Sequence, residues 1–208
     1  MLKMKNITKL FLYLNLCLTL LACSKISPKG EIEVKDVTVE NFTKLNLKGD
    51  FKVFFAKGNQ NLVSVETYPN VYKNLDIEVE NGILTIEENR KTDQVDFYNI
   101  TIFGKNDLNE VSLSDKVEMN VSGQVKTPEF SLHLKGNSKF MGAVIAPKSK
   151  IEMAEKSNAN ILGETKNLNL KLADSASIMA PYFYVENLEI LSKNGASAGL
   201  NIDQEMKG

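Results

Sequence analysis

The chain has 208 residues, 25% of them charged, and a formal net charge of −1, so one domain with a sizeable core is expected and no basic surplus is available. Lys and Arg are dispersed among acids, which excludes the basic patch or stripe that nucleic-acid binding needs and attachment to an anionic bilayer by charge alone. Two cysteines and a single histidine leave no metal-ligating or cofactor pattern.

The first 22 residues read as a targeting segment. Lys3, Lys5 and Lys9 precede the apolar run Leu10–Leu21, which falls short of the roughly 20 residues a membrane-spanning helix needs and suits a secretory signal. The run ends in Leu20-Leu21-Ala22-Cys23, which resembles the lipobox of bacterial lipoproteins, whose cysteine is acylated and becomes the new N-terminus. That resemblance gives Cys23 the role of lipid anchor and makes the membrane a partner; ordinary cleavage near Ala22 is the alternative. Ser24, following the cysteine in place of an acid, resembles the class sorted to the bacterial outer membrane. Cleavage leaves 186 residues (208 − 22), removes Cys17 and three lysines, and so gives a charge of about −4 and no disulfide.

Residues 23–30 read as a lipidated tether and 31–208 as a single domain. Alternating stretches at Glu31–Val39, Leu45–Phe55, Leu62–Thr67, Leu75–Glu80, Ile83–Glu88 and Asn99–Phe103 predict strands. Asn81-Gly82 between two of them predicts an antiparallel hairpin, because both residues tolerate positive φ. Only Val71–Asn74 suits a helical turn, and Lys91–Asp96 reads as a loop.

From Val111 to Ile202 one phrase recurs: two apolar residues at alternate positions, then a turn residue, then small residues. The copies begin at Val111, Leu132, Ile151, Leu170 and Ile190, and their turn residues 115, 136, 155, 174 and 194 are 21, 19, 19 and 20 apart. Such a period predicts stacked β-coils. Positions 111/113, 132/134, 151/153, 170/172 and 190/192 are expected to face inward, with Ser138, Ser157, Ala176 and Ala196 filling the corner and Met141, Met153 and Met179 filling gaps.

The opening FTKLNLKGDFKVFFAKGNQNLVSVETYPN, the segment NLDIEVENGILTIEENR and the repeats LHLKGNSKF, LKLADSASI and LEILSKNGASAGLN together resemble the bacterial family described as putative auto-transporter adhesin, head GIN domain, over about residues 42–201. The resemblance implies an all-β, right-handed parallel β-helix, with an irregular, partly antiparallel N-terminal strand region, and an adhesion-type role. Glu155 and Asp174 depart from the glycine expected at the repeat turn.

The residues that suggest chemistry favour binding over catalysis. Asp115, Glu155 and Asp174 align in one column, as a carbohydrate-active enzyme would require of a carboxylate pair, yet turn positions favour acids for local hydrogen bonding alone. His133 is expected to face outward without partners for a triad or a metal. If Phe183 is inside, Tyr182 and Tyr184 face outward and are the candidates for stacking on a sugar ring or a partner protein. The reading is a lipid-anchored, non-enzymatic envelope module for a protein or glycan ligand; the alternatives are a carbohydrate-active β-helix enzyme and a structural envelope scaffold.

Overall fold

The computed structural model describes residues 25–202; the leader, Cys23, Ser24 and the tail 203–208 lie outside the described residues. In chain order the strands are β1 (Glu33–Thr38), β2 (Lys44–Gly49), β3 (Lys52–Lys57), β4 (Leu62–Thr67), β5 (Leu75–Glu80), β6 (Ile83–Glu88) and β7 (Asn99–Gly104). They continue with β8 (Glu110–Asp115), β9 (Glu118–Lys126), β10 (Glu129–Leu134), β11 (Lys139–Met153), β12 (Asn158–Leu172), β13 (Ser177–Ser192) and β14 (Ser197–Ile202). Among the described residues one short helix, α1 (Pro69–Tyr72), opens with proline, whose fixed φ suits a first helical turn. None of the described helices is long and apolar enough to cross a membrane.

All fourteen strands belong to one sheet that curls on itself. The curl is made by the long strands. In β11 the first half pairs with β9 and the second half with β10, so the strand passes from one limb of the sheet to the other through Ala146-Pro147; β12 and β13 stack on it over both limbs. Apolar residues of the two limbs face each other and form one core, with Leu132, Ile151 and Leu170 of the first limb and Ile161, Phe183 and Val185 of the second all fully buried. The expected all-β class is therefore observed.

The sheet is mixed. Parallel pairing runs through the repeats, whereas β1/β4, β4/β7 and β5/β6 are antiparallel. The β5/β6 hairpin turns at Asn81 (φ 51°) and Gly82 (φ 75°), as their tolerance of positive φ predicts. Its edge strand β5 carries Asp76, Glu78 and Glu80, charges that discourage pairing with another sheet.

The repeat register follows the sequence period. Val111, Leu132, Ile151, Leu170 and Ile190 stand side by side in consecutive strands. The register shifts at three steps, Met141/Ala143, Asn160/Leu162 and Ala180/Tyr184. The second has a local cause: between Asn160 and Leu162 of β12, β13 carries an extra residue beside Pro181, and a bulge accommodates a proline that has no N–H to give the ladder.

Three expectations are corrected. Ile190 and Ser192 are exposed, Ile190 by 46%, because β14 pairs only with Ser177–Val185 and, among the described residues, no strand continues the other limb past β13. Met141 and Met179 face solvent, since they alternate with the inward Phe140 and Ile178; only Met153 is buried as a filler. The repeat column also starts earlier than the sequence period suggests, because Leu45 and Leu47 of β2 stack on Val111 and Leu113, with Leu84 and Ile86 of β6 beyond them. Residues 25–29, within the stretch read as the tether, lie against the domain: Ile26 is buried and bridges Thr92.

Candidate binding surface

The corner of the coil is built from backbone geometry. Asp115, Gly136, Glu155, Asp174 and Asn194 hold φ of 60°, 74°, 62°, 60° and 56°, so the left-handed corner persists where glycine is replaced. Three of these corners are tied to the one before: Asn137, Lys156 and Ser175 donate their N–H to the carbonyls of Asp115, Gly136 and Glu155 at 2.6, 2.9 and 2.8 Å. Of these five corner positions the one held by glycine is Gly136, where an added Cβ would lie 2.5 Å from the Asp115 carbonyl oxygen.

The acidic column serves this corner. Asp174 Oδ2 accepts the Glu155 N–H at 3.3 Å and Oδ1 accepts the Asn194 side-chain amide at 3.4 Å. Asp115, Glu155 and Asp174 are all exposed, and Gly136 separates the first two by one rung. His133 faces outward between Leu132 and Leu134, its Nδ1 3.2 Å from Glu152. Lys150 and Lys171 reach the same carboxylate at 3.1 and 3.2 Å. Burial pushes the Glu152 carboxyl up, but hydrogen bonds and charge from the two lysines outweigh it and hold it below the usual carboxylate range. Among the described residues no three His, Cys, Asp or Glu side chains gather as a metal site would need.

A groove that the sequence did not reveal runs beside the corner column, an open space of about 520 Å³ bounded by Gly49, Asp50, Lys116 and Lys156 on one side and by Glu88, Lys91 and Thr92 on the other. Beyond Asp50 and Lys116 it continues into a second hollow of about 300 Å³ lined by Phe51 and Tyr98. Glu88 ties its walls together: Oε2 accepts the Asp50 N–H and Oε1 accepts the Thr92 hydroxyl, both at 3.0 Å. Tyr98 is buried against Phe51 with ring centroids 5.4 Å apart, and among the described residues its hydroxyl has no partner in hydrogen-bonding geometry. Burial, and then the negative charge of Glu88, push its ionisation far above the usual range. Phe97-Tyr98 is visible in the sequence as an aromatic pair before a strand; the structure buries Tyr98 and leaves Phe97 outside.

Burial also raises the Glu88 carboxyl, with the Thr92 and Asp50 hydrogen bonds opposing it. A carboxyl whose folded value exceeds its unfolded one binds its proton more tightly when folded, so stability falls as pH rises from the ordinary glutamate value through the folded one. Glu88→Gln, which can still accept from Asp50, is expected to match or exceed the wild type in melting temperature at neutral pH and to lose the wild type's relative gain on mild acidification. A melting-temperature profile against pH checks this; a variant strongly destabilised at neutral pH would refute it.

The second candidate surface is the outer face of the long strands. Registers place Met141 beside Asn160 and Met179, Ala143 beside Leu162 and Tyr182, and Ile145 beside Glu164 and Tyr184. With rungs about 4.8 Å apart and alternate residues about 6.8 Å apart, this lattice covers about 10 by 14 Å. Tyr182 and Tyr184 are 65% and 52% exposed, and Met141, Leu162 and Met179 are exposed with them, while the intervening Phe183 is fully buried. The sequence thus places both tyrosines on the correct face but does not reveal their apolar neighbours. An open hollow of about 520 Å³ adjoins Tyr184, between Pro147, Glu164 and Lys166.

Comparison with known proteins agrees with this architecture. The chain resembles a crystal structure titled a putative adhesin from Bacteroides fragilis, with a TM-score of 0.69 and 12% identity over 85% of this chain and 97% of that one. A putative adhesin from Parabacteroides merdae gives 0.66 and 15% over 86% and 84%. A structure titled putative lipid binding protein, from Parabacteroides distasonis, gives 0.60 and 16% over 87% and 100%. At these identities the likeness concerns the fold alone. No curated protein matches the chain. The family described as putative auto-transporter adhesin, head GIN domain, matches residues 41–208, and the chain belongs to that family.

Proposed function

We propose that this chain is a lipid-anchored, non-enzymatic binding module of the bacterial envelope, held at Cys23 and engaging a protein or glycan through the face that carries Tyr182 and Tyr184. The observation that carries the reading is the in-register exposure of Met141, Leu162, Met179 and both tyrosines on a rigid sheet. Contiguous apolar surface of this kind on a soluble domain marks an interaction site, and tyrosine offers a large contact area with little side-chain entropy to lose. The adhesin family and the names of its structural relatives support a role at the cell surface. In the same reading, the two stacked limbs are the coils of a right-handed parallel β-helix capped by antiparallel strands.

The carbohydrate-active alternative draws on the acidic column. Against it stands the use of Asp174, which spends both oxygens on holding neighbouring corners.

Binding of the soluble Ser24–Gly208 fragment to arrayed glycans and envelope proteins tests the reading. Replacing both tyrosines by alanine is expected to weaken the ligand so found by about tenfold or more, whereas Asp115→Ala leaves it unchanged. Equal loss in the two variants would count against the aromatic face. Anchoring is tested separately: Cys23→Ala should release the full chain from the membrane fraction, and its retention there would refute the anchor.

A further inference from the structure

Ile26 is the one apolar residue between Ser24 and Gly30, and it is the residue that docks. Its N–H donates to the Lys91 carbonyl and its carbonyl accepts the Asp93 N–H, both at 2.9 Å. Lys25 pairs with Asp93 at 3.3 Å. Asn70 donates to the Ser27 carbonyl at 2.9 Å and accepts the Lys29 N–H at 2.8 Å. The segment from Lys25 to Lys29 is therefore fastened along its length.

Cys23 precedes Ile26 by three residues, and three residues span at most about 10 Å. The backbone of Cys23 therefore stays within that reach of Ile26, and an acyl group joined through its side chain enters the bilayer near it. The place is defined by its neighbours, because Lys25 and Thr92 bound the same groove as Gly49, Lys116, Glu155 and Lys156.

We infer that the corner edge of the sheet rests on the lipid headgroups and that the bend carrying Tyr184 is held away from the membrane. This rests on the anchoring proposed above and adds an orientation to it. The groove suits a headgroup layer: Lys25, Lys91, Lys116 and Lys156 face it together with four carboxylates, so it carries no net charge and offers partners to both the phosphate and the ammonium of a zwitterionic lipid. The course of the chain sets the height. From Lys156 at the corner the backbone runs eight residues to Glu164 before it turns back toward Asp174, and at about 3.3 Å per residue the bend lies about 26 Å from the corner. Tyr184 stands beside Glu164 there. A docked tether three residues long thus holds the Tyr184 end of the aromatic face away from the membrane, where it is open to a ligand.

The test uses the full lipoprotein in vesicles of phosphatidylethanolamine and phosphatidylglycerol containing a nitroxide-headgroup lipid. An acylated Cys23 does not react with a maleimide dye, so Lys156→Cys and Lys166→Cys each give one labelled site, at the corner and at the bend. The mass of the N-terminal peptide establishes acylation in each sample. The corner label is expected to lose most of its emission to the nitroxide while the bend label keeps its own. Ile26→Asp, at the edge of the core, should free the tether and abolish the difference. Equal or reversed quenching in acylated protein, or a difference that survives Ile26→Asp, would overturn the orientation and leave the anchor intact. Absence of acylation would overturn both.

Discussion

Leu170→Asp should unfold the repeat region. Leu170 is fully buried between Ile151 and Ile190 in the first limb, so the variant loses roughly 2–3 kcal/mol of apolar burial and must also accommodate a carboxyl with no partner, for a total of about 5 kcal/mol or more. Most single domains have only about 5–15 kcal/mol to lose. The damage will not stay in one strand, because a stacked architecture draws its stability from contacts between neighbouring rungs. Chemical denaturation should show a large fall in the midpoint, or the soluble yield should collapse. His133→Ala provides the internal contrast. It removes one of three partners from Glu152 at a half-exposed site and leaves both lysines in place, so a change within about 0.5 kcal/mol is expected. Similar midpoints for the two variants would overturn the assignment of inward and outward positions.

That contrast was legible in the sequence because strand parity is a local property. Leucine, histidine, leucine at 132–134 assigns facing without any knowledge of the fold, and the register of the following strands keeps it. Parity also correctly separates Phe183 from Tyr182 and Tyr184. What local pattern does not carry is the extent of the stack. The turns at Gly49 and Asp115 are 66 residues apart (115 − 49), since β3 to β7 intervene, so β2 falls outside the 19-to-21-residue period although it pairs with β8 along its whole length. The same limitation hid the corner groove. Its walls come from Lys25, from residues 88–92 and from four successive corners, and only the curled sheet brings these together. Met141 and Met179 show the converse: their apolar type suggests the core, but parity turns them to solvent because the alternating Phe140 and Ile178 fill the inward places.

The second large effect is expected at Gly163, which belongs to no repeated motif. Gly163 pairs with Val144 on one side and Phe183 on the other, at φ 109°, and an added Cβ would overlap the Val144 carbonyl oxygen. That oxygen is backbone, so it cannot yield by a rotamer change; the strands themselves must separate. Gly163→Ala should therefore cost about 3 kcal/mol or more, combining the disfavoured φ with the disturbed ladder. Gly82→Ala calibrates the conformational part, because Gly82 also has positive φ, 75°, but nothing within 4 Å of an added Cβ; a loss of about 1 kcal/mol is expected there. Thermal or denaturant unfolding of both variants checks the difference, and equal losses would mean that the close approach at Val144 is not maintained. The site matters beyond stability. Leu162 and Tyr182 are paired one position before Gly163 and Phe183, and Glu164 and Tyr184 one position after. Parting the strands at Gly163 must shift the exposed lattice that the tyrosines occupy, so a folded Gly163→Ala protein should bind the ligand of that face more weakly while its corner groove, at the other end of the rungs, is unchanged.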